Sequence, residues 1–404
     1  MKKAYTFDTH RTCSPEETVK QALLKLKKSG VWDTEQVRMY PIGQLDIFDK
    51  FVYCVASNVG KRNNWGKWLT KYQAMASALM EFAERYSWYQ TIAKVNQTPI
   101  KKYAEMGENI VQVTDLVLTN DDKKKAEDIS YIQSLDFHWL TGTSLVDGKQ
   151  RYIPWYEPEF MTSNCLGAGN TLEEATLHAI YETIERHNHN IMMANLDAPR
   201  MIDIQTIPHP HILQLIGDMK SLGFEVYLMD CSFYFDVLTI GAIAFHPQYQ
   251  YVSHYAMNFH LGTHANRDIA IIRALTEVIQ NRAATFDNNR SSIQQVGEAC
   301  LMGENDISSI TSHYLRLLRS KNLEIVSYQD LKNTDQDDID QEIDYIVQDL
   351  KTNGYEVIVI DITDEKLQIP CVRVVIPWTQ PMLYELFNTA VWGKVRVTPF
   401  IKHP

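Results

Sequence analysis

Apolar and polar residues switch between a helical and an extended rhythm along the chain, and the switch points mark its elements. Ser14-Pro15-Glu16-Glu17 opens a helix that runs to about Gly30: Ser14 is the cap, Pro15 takes the first helical position, and Glu17 is placed to complete a capping box. Two apolar runs over 37–42 and 50–57 read as strands, and a helix over 70–93 follows. Residues 94–130 are polar, lysine-rich and weakly periodic, a connection with a short strand near Val111 and Val113. Segments 137–145 and 150–155 flank Asp147-Gly148 as a hairpin. Beyond it come a helix over 171–196, a shorter one over 209–221, strands over 224–231, 237–245 and 251–259, and a third long helix. Residues 300–353 read as helical, and two buried strands, 355–363 and 370–378, precede the tail. This alternation predicts an α/β (α+β) fold with mixed β-sheets flanked by helices.

Three stretches of this pattern repeat in register. Gly66, Ala74, Ala78, Glu81 and Glu84 align without gaps on Gly167, Ala175, Ala179, Glu182 and Glu185, and on Gly262, Ala270, Ala274, Glu277 and Gln280. The first two copies add Arg85 and Arg186 one residue later. Residues three and four apart share a helix face, so each copy presents two acidic or amide groups side by side, with small residues on the same side for close backbone approach. A Glu pair at that spacing repels itself by a few tenths of a kcal/mol on an exposed helix, and cation binding would offset this. Each copy reads as a strand, a Gly turn and a carboxylate helix, and the acidic and cationic groups are expected to gather at one end of a sheet.

Size and charge remove several alternatives. With 404 residues the chain can bury a large core. A single domain over 1–404 is expected, with a helix and strands in 1–60, the motif-bearing core in 61–300, and an α/β part and tail in 301–404. The net charge of −11 argues against bulk electrostatic binding of nucleic acid. Six scattered cysteines without a CxxC pair suit thiols in a reducing cytoplasm. Neither a signal peptide nor a membrane-length apolar run is present in the sequence.

Hard oxygen ligands on three helices suit Mg2+ far better than zinc or copper. Mg2+ with carboxylates and interspersed arginines is how proteins hold nucleotide polyphosphates, and Arg85, Arg186, Arg273 and Arg282 would balance phosphate charge. A P-loop is rejected, because five residues separate Gly60 from Gly66 and Trp68 follows Lys67. The pairs His187/His189 and His209/His211 lack a zinc partner at usable spacing, and Cys165 reads as small packing. Arg11 and Thr12, just before the first helix, are placed to meet an anion.

The segments SALMEFAERYS, SNCLGAGNTLEEATLHAIYETIERH and RALTEVIQNR, in that order, resemble the three nucleotide-site motifs of the YcaO superfamily, and RTCSPEET resembles its N-terminal signature. The resemblance spans roughly residues 11 to 380. It implies a YcaO-type fold with the three motifs lining one ATP site, and an ATP- and Mg2+-dependent enzyme that phosphorylates a peptide amide oxygen before a nucleophile attacks. By position, Glu81, Glu84, Glu182, Glu185 and Glu277 would serve Mg2+. Arg11, Thr18, Asn170, Glu174, Arg186, Arg273 and Gln280 would contact nucleotide, with Glu182, Glu185 and Arg186 central to catalysis. A homodimer acting on a peptide or protein substrate is also implied.

In this family the nucleophile decides between azoline, thioamide and amidine. Azoline-forming members usually end in a Pro-x-Pro-x-Pro tail, whereas this chain ends TPFIKHP and carries PWTQ at 377–380 where relatives have a PGLE-like segment. The sequence also shows no fused leader-binding or ubiquitin-activating-like domain. These departures tilt the expectation towards thioamide formation with a TfuA-type partner supplying sulfur. The competing reading is a non-catalytic nucleotide-binding accessory protein.

Overall fold

The computed structural model describes residues 1–42, 52–58, 63–112, 136–155, 163–193, 198–247, 257–286 and 323–379. Helix α1 (Pro15–Lys28) begins as its sequence dictates, with Ser14 Oγ accepting the Glu17 N–H at 3.2 Å. The Glu17 side chain does not close the box; it accepts from Gln21 at 3.0 Å, one turn on. A short helix, α2 (Val31–Thr34), leads into strands β1 (Arg38–Pro41), β2 (Val52–Ala56) and β3 (Asn63–Lys67), then α3 (Lys71–Val95), β4 (Lys101–Lys102) and α4 (Tyr103–Met106). The hairpin is β5 (Asp136–Ser144) and β6 (Gln150–Trp155), in register from His138 opposite Trp155 to Thr143 opposite Gln150. Strand β7 (Leu166–Ala168) feeds α5 (Leu172–Met193), and β8 (Arg200–Ile202) leads to α6 (Pro210–Ser221). Strands β9 (Glu225–Asp230), β10 (Leu238–Phe245) and β11 (Met257–His264) precede α7 (Arg267–Phe286). The chain then gives β12 (Ile325–Val326), α8 (Ile339–Thr352), β13 (Ile358–Asp361) and β14 (Cys371–Val375).

The motif strands do not share one sheet. They close the ends of three: β1-β2-β3, β4-β5-β13-β14-β7 and β12-β8-β9-β10-β11. Each places its motif strand, β3, β7 or β11, at a sheet edge, and the helix that follows packs against that strand. The motif glycines lie inside these strands, so the expected Gly turns are strand glycines. Their requirement is steric. A Cβ on Gly66, Gly167 or Gly262 would come within 3.0 Å of the helix backbone, at Ala74 O and Ala78 N, Ala175 O and Ala179 N, and Ala270 O and Ala274 N. The motif alanines are fully buried at this crossing. Glycine and alanine thus form a strand-to-helix contact with no room for a methyl group between the two backbones, which holds each carboxylate helix in one orientation.

Burial of Leu79, Ile180 and Leu275 fixes the opposite helix faces in separate apolar clusters, each side chain contributing roughly 1.5–3 kcal/mol. Several expected elements differ in extent. The strand near Val111 is a single bridge between Ile110 and Tyr152, and Val113 lies outside the described residues. Of the strand expected over 251–259, residues 251–256 lie outside the described residues, and β11 covers Met257–His264. Of the helical expectation over 300–353, residues 323–353 contain β12, a 3-10 turn and α8, because Asp338 caps the Gln341 N–H and starts the helix there. The rest of that stretch, the PWTQ segment's Gln380 and the tail fall outside the described residues. Among those described, no helix is long and apolar enough to cross a membrane.

Candidate active site

The three motif helices converge on one cavity of about 370 Å³. Glu81, Glu84, Glu182, Glu185, Glu277 and Gln280 all line it, together with Arg85, Arg186 and Arg273. Their placement follows a cyclic rule. Glu84 of α3 accepts the Ala168 N–H of β7 at 2.8 Å, Glu185 of α5 accepts the Thr263 N–H of β11 at 3.0 Å, and Gln280 of α7 donates to Trp65 O of β3 at 3.5 Å. The second acidic or amide group of each motif therefore reaches the glycine-bearing strand of the next, first to second, second to third, third to first. This explains how carboxylates from three sheets meet: each is oriented by a backbone group that flanks a neighbouring motif glycine. Glu81 additionally accepts the Trp65 N–H of its own motif strand.

Cations are interleaved with the acids. Arg85 pairs with Glu81 at 2.6 Å, and Arg186 lies 3.7 Å from Glu182 and 3.6 Å from Glu185. Glu277 is paired with Lys67 of β3. The compensation is incomplete. Burial first, then the charges of Glu182 and Glu81, push the Glu84 carboxyl well above the usual carboxylate range. Burial also raises Glu182, against the pull of Arg186. Carboxylates that resist ionisation because they are desolvated and face one another are stabilised by a divalent cation, and oxygen donors are the set that Mg2+ takes. The Nε–H groups of Arg186 and Arg273 are buried without an acceptor among the described residues, an arrangement that phosphate oxygens would satisfy. The residues present therefore fit Mg2+ bound to a nucleotide. His178, on the cavity wall, is held neutral by burial and then by Arg273, Arg11 and Lys67.

The N-terminal segment closes one side. Arg11 lines the cavity, donating to Glu174 Oε1 at 2.9 Å and to Gln73 Oε1 at 2.7 Å. Glu174 also accepts from the Thr12 N–H and hydroxyl, at 2.9 and 2.8 Å, and from Asn170. Asn170 and Thr18 are not among the lining residues. Asn170 orients Glu174, and the fully buried Thr18 hydroxyl donates to Ser14 O at 3.0 Å, so in this state both support the wall from behind. The side chain of Arg282 lies outside the described residues.

Sequence reasoning missed a second buried group on the same wall. Glu342 of α8 accepts from Lys3 at 2.6 Å and from Tyr181, while His10 lies 3.6 Å from it and 3.8 Å from Asp335. His264 packs edge-on against His10. Although His10, His264 and Glu342 are spaced to ligate a metal, His264 Nδ1 accepts the Asn266 N–H at 2.9 Å, which leaves the ring proton on Nε2. Lys3 already neutralises the carboxylate, so the cluster is an anchor for the N-terminal segment. The missed signal was the adjacency of His10 to Arg11. Lys67 was missed too, although it directly follows motif Gly66.

A model of the YcaO cyclodehydratase family, described as ATP- and Mg2+-binding, matches residues 65–380, a span that contains all three motifs. The chain belongs to the YcaO family. Among curated relatives, an uncharacterized protein of Methanothermobacter thermautotrophicus is 26% identical over 321 residues, covering 77% of this chain and 80% of that protein. The ribosomal protein S12 methylthiotransferase accessory factor YcaO of Escherichia coli is 26% identical over 244 residues, covering 54% of this chain and 40% of that protein. Among solved structures, a heterocyclase in complex with substrate and cofactor superposes with a TM-score of 0.74 at 22% identity, covering 97% of this chain and 56% of that one. YcaO from Methanopyrus kandleri bound with AMPPCP and Mg2+ superposes at 0.70 and 19% identity, covering 98% and 99%. At these identities the likeness is one of fold, and the mixed α+β architecture is that of the YcaO heterocyclases. ATP and Mg2+ are the family's ligands.

Proposed function

We propose that this chain uses Mg-ATP to phosphorylate the oxygen of a peptide backbone amide, after which a nucleophile attacks the activated carbon and phosphate leaves. The observation that carries this reading is the convergence on one cavity of five glutamates, from helices packed on three sheets, and five cationic side chains, Arg11, Lys67, Arg85, Arg186 and Arg273. Glu81, Glu84, Glu182, Glu185 and Glu277 would hold Mg2+, which supplies charge neutralisation at the transferred phosphoryl group. Arg186, Arg273 and Gln280 would orient the phosphates, and Arg11, fixed by Glu174, would do so from the N-terminal side. With donors held before the reaction begins, little reorganisation is needed as charge develops.

Among the amide products we favour a thioamide. Hydrogen sulfide, amide and ATP then give thioamide, ADP and phosphate, the amide oxygen leaving on phosphate. Support comes from the PWTQ segment at 377–380, which departs from the PGLE-like segment of many relatives. The proposal includes a homodimer, a cytoplasmic location and a TfuA-type or leader-binding partner. Mass spectrometry of candidate peptides incubated with the protein, Mg-ATP and sulfide tests it. A gain of about 16 Da identifies the thioamide and a loss of about 18 Da the azoline, since both arise by nucleophilic attack on one activated carbon. A second reading, a nucleotide-binding accessory protein, is favoured by the name of the E. coli relative, a methylthiotransferase accessory factor. It predicts nucleotide binding with no mass change and no peptide-stimulated hydrolysis.

A further inference from the structure

In the first two motif helices the leading glutamate is neutralised from its own helix, Glu81 by Arg85 and Glu182 by Arg186, each four residues on. The third helix breaks this rule. Asn281 stands where the arginine is expected, and its side chain is engaged with His260 Nε2 at 2.8 Å. Glu277 is instead paired with Lys67, which comes from β3 in another sheet. The residue after the glycine is Ala168 in the second motif and Thr263 in the third, both uncharged. A cation has therefore been gained at one position of the internal repeat and lost at another, and the two positions meet across the cavity.

Lys67 differs from the arginines in more than its address. Arginine is rooted beside its carboxylate and presents a rigid fork, whereas lysine is a point charge on a four-carbon stem that reaches alternative partners. The Glu277 side chain is 31% exposed, against 8% for Glu185, so this pair sits at the open part of the acidic set. Lys67 is the more buried partner, at 16% exposed, and a divalent cation, with twice the charge of the ammonium, can replace it at the carboxylate.

We infer that Lys67 is an exchangeable internal cation: it occupies Glu277 before ligand arrives, is displaced when Mg2+ takes that carboxylate, and moves to the nucleotide phosphates. This rests on the cavity being the Mg-nucleotide site. The exchange predicts effects of opposite sign in Lys67→Met. Without nucleotide, Mn2+ followed by electron paramagnetic resonance should bind about tenfold tighter, because the competing ammonium is gone. Mg-AMPPCP followed by calorimetry should bind about tenfold weaker, because a phosphate ligand is gone. Glu277→Gln supplies an independent arm: with Lys67 released, metal-free AMPPCP in EDTA should bind several-fold tighter than to wild type. Opposed shifts in Lys67→Met, or the tighter metal-free binding in Glu277→Gln should Lys67→Met not fold, support the exchange. Shifts of the same sign, or none, overturn it while wild type still binds both probes. If wild type binds neither Mn2+ nor AMPPCP, the nucleotide-site reading falls and the exchange falls with it.

Discussion

The glutamates that line the cavity and the buried Glu342, which accepts from the lining residue Tyr181, stand in opposite electrostatic states. Burial opposes the charge of Glu342, yet His10, His264 and Lys3 hold its carboxyl far below the usual range. Glu84 and Glu182 are partly buried, and theirs are pushed up, first by desolvation and then by the charges of neighbouring glutamates. Lys3 and Tyr181 donate to Glu342 and cover its charge, while the motif helices assemble more negative charge than their cations cover. The difference separates scaffolding from chemistry: a satisfied buried network fixes the N-terminal segment, and an unsatisfied one needs a ligand to complete it.

The largest expected effect on stability breaks the satisfied side. Glu342→Ala leaves the Lys3 ammonium, 4% exposed, with Asp335 as its remaining carboxylate partner at 2.6 Å, and should cost about 3 kcal/mol of stability by urea unfolding. Glu342→Gln, which keeps the shape and a hydrogen-bond acceptor, should lose less. On the unsatisfied side, Glu182→Ala should lower peptide-dependent phosphate release about 10²–10³-fold, roughly 3–4 kcal/mol of transition-state stabilisation, while its far-UV circular dichroism stays that of wild type. A residual rate near wild type would exclude Glu182 from the metal set.

A smaller effect separates the two groups by pH. Glu84 and Glu182 have folded-state values raised above the ordinary 4.5, so the stability they contribute is fully present below 4.5 and is lost as pH rises through their raised values. Mg2+ reverses that loss by occupying the ionised forms. The gain in melting temperature on adding Mg2+ should therefore grow with pH from 4.5 upward, and a pH-independent gain would count against these ligands. Smallest of all, Glu84→Gln should stabilise the metal-free protein by about 1 kcal/mol, since removing one of several like charges relieves repulsion while the amide oxygen still accepts the Ala168 N–H. The same substitution should weaken Mn2+ binding.

The motif residues were legible because their chemistry is local. Gly66, Ala74, Ala78, Glu81 and Glu84 recur at fixed intervals, and helix periodicity alone puts both glutamates on one face with the alanines. The strand-to-helix order of each copy was legible for the same reason. The Gly turns were misread because a glycine needed for close approach and one needed for a turn look alike in sequence; only the collision of a Cβ with the helix backbone tells them apart. The anchor at Glu342 escaped notice because Lys3, His10, Tyr181, His264 and Glu342 lie far apart in the chain, and no spacing rule connects them.

The sequence by itself determined three carboxylate helices, their small-residue faces and the kind of cation they would take, because each follows from residues within one or two helical turns. Only the tertiary structure decided that the three helices belong to three sheets, that Glu84, Glu185 and Gln280 each reach the strand of the next motif, and that Lys67 replaces an arginine missing from α7. Those facts depend on which sheet edges meet. That choice is made by burial summed over the whole chain, and no single stretch of it carries the information.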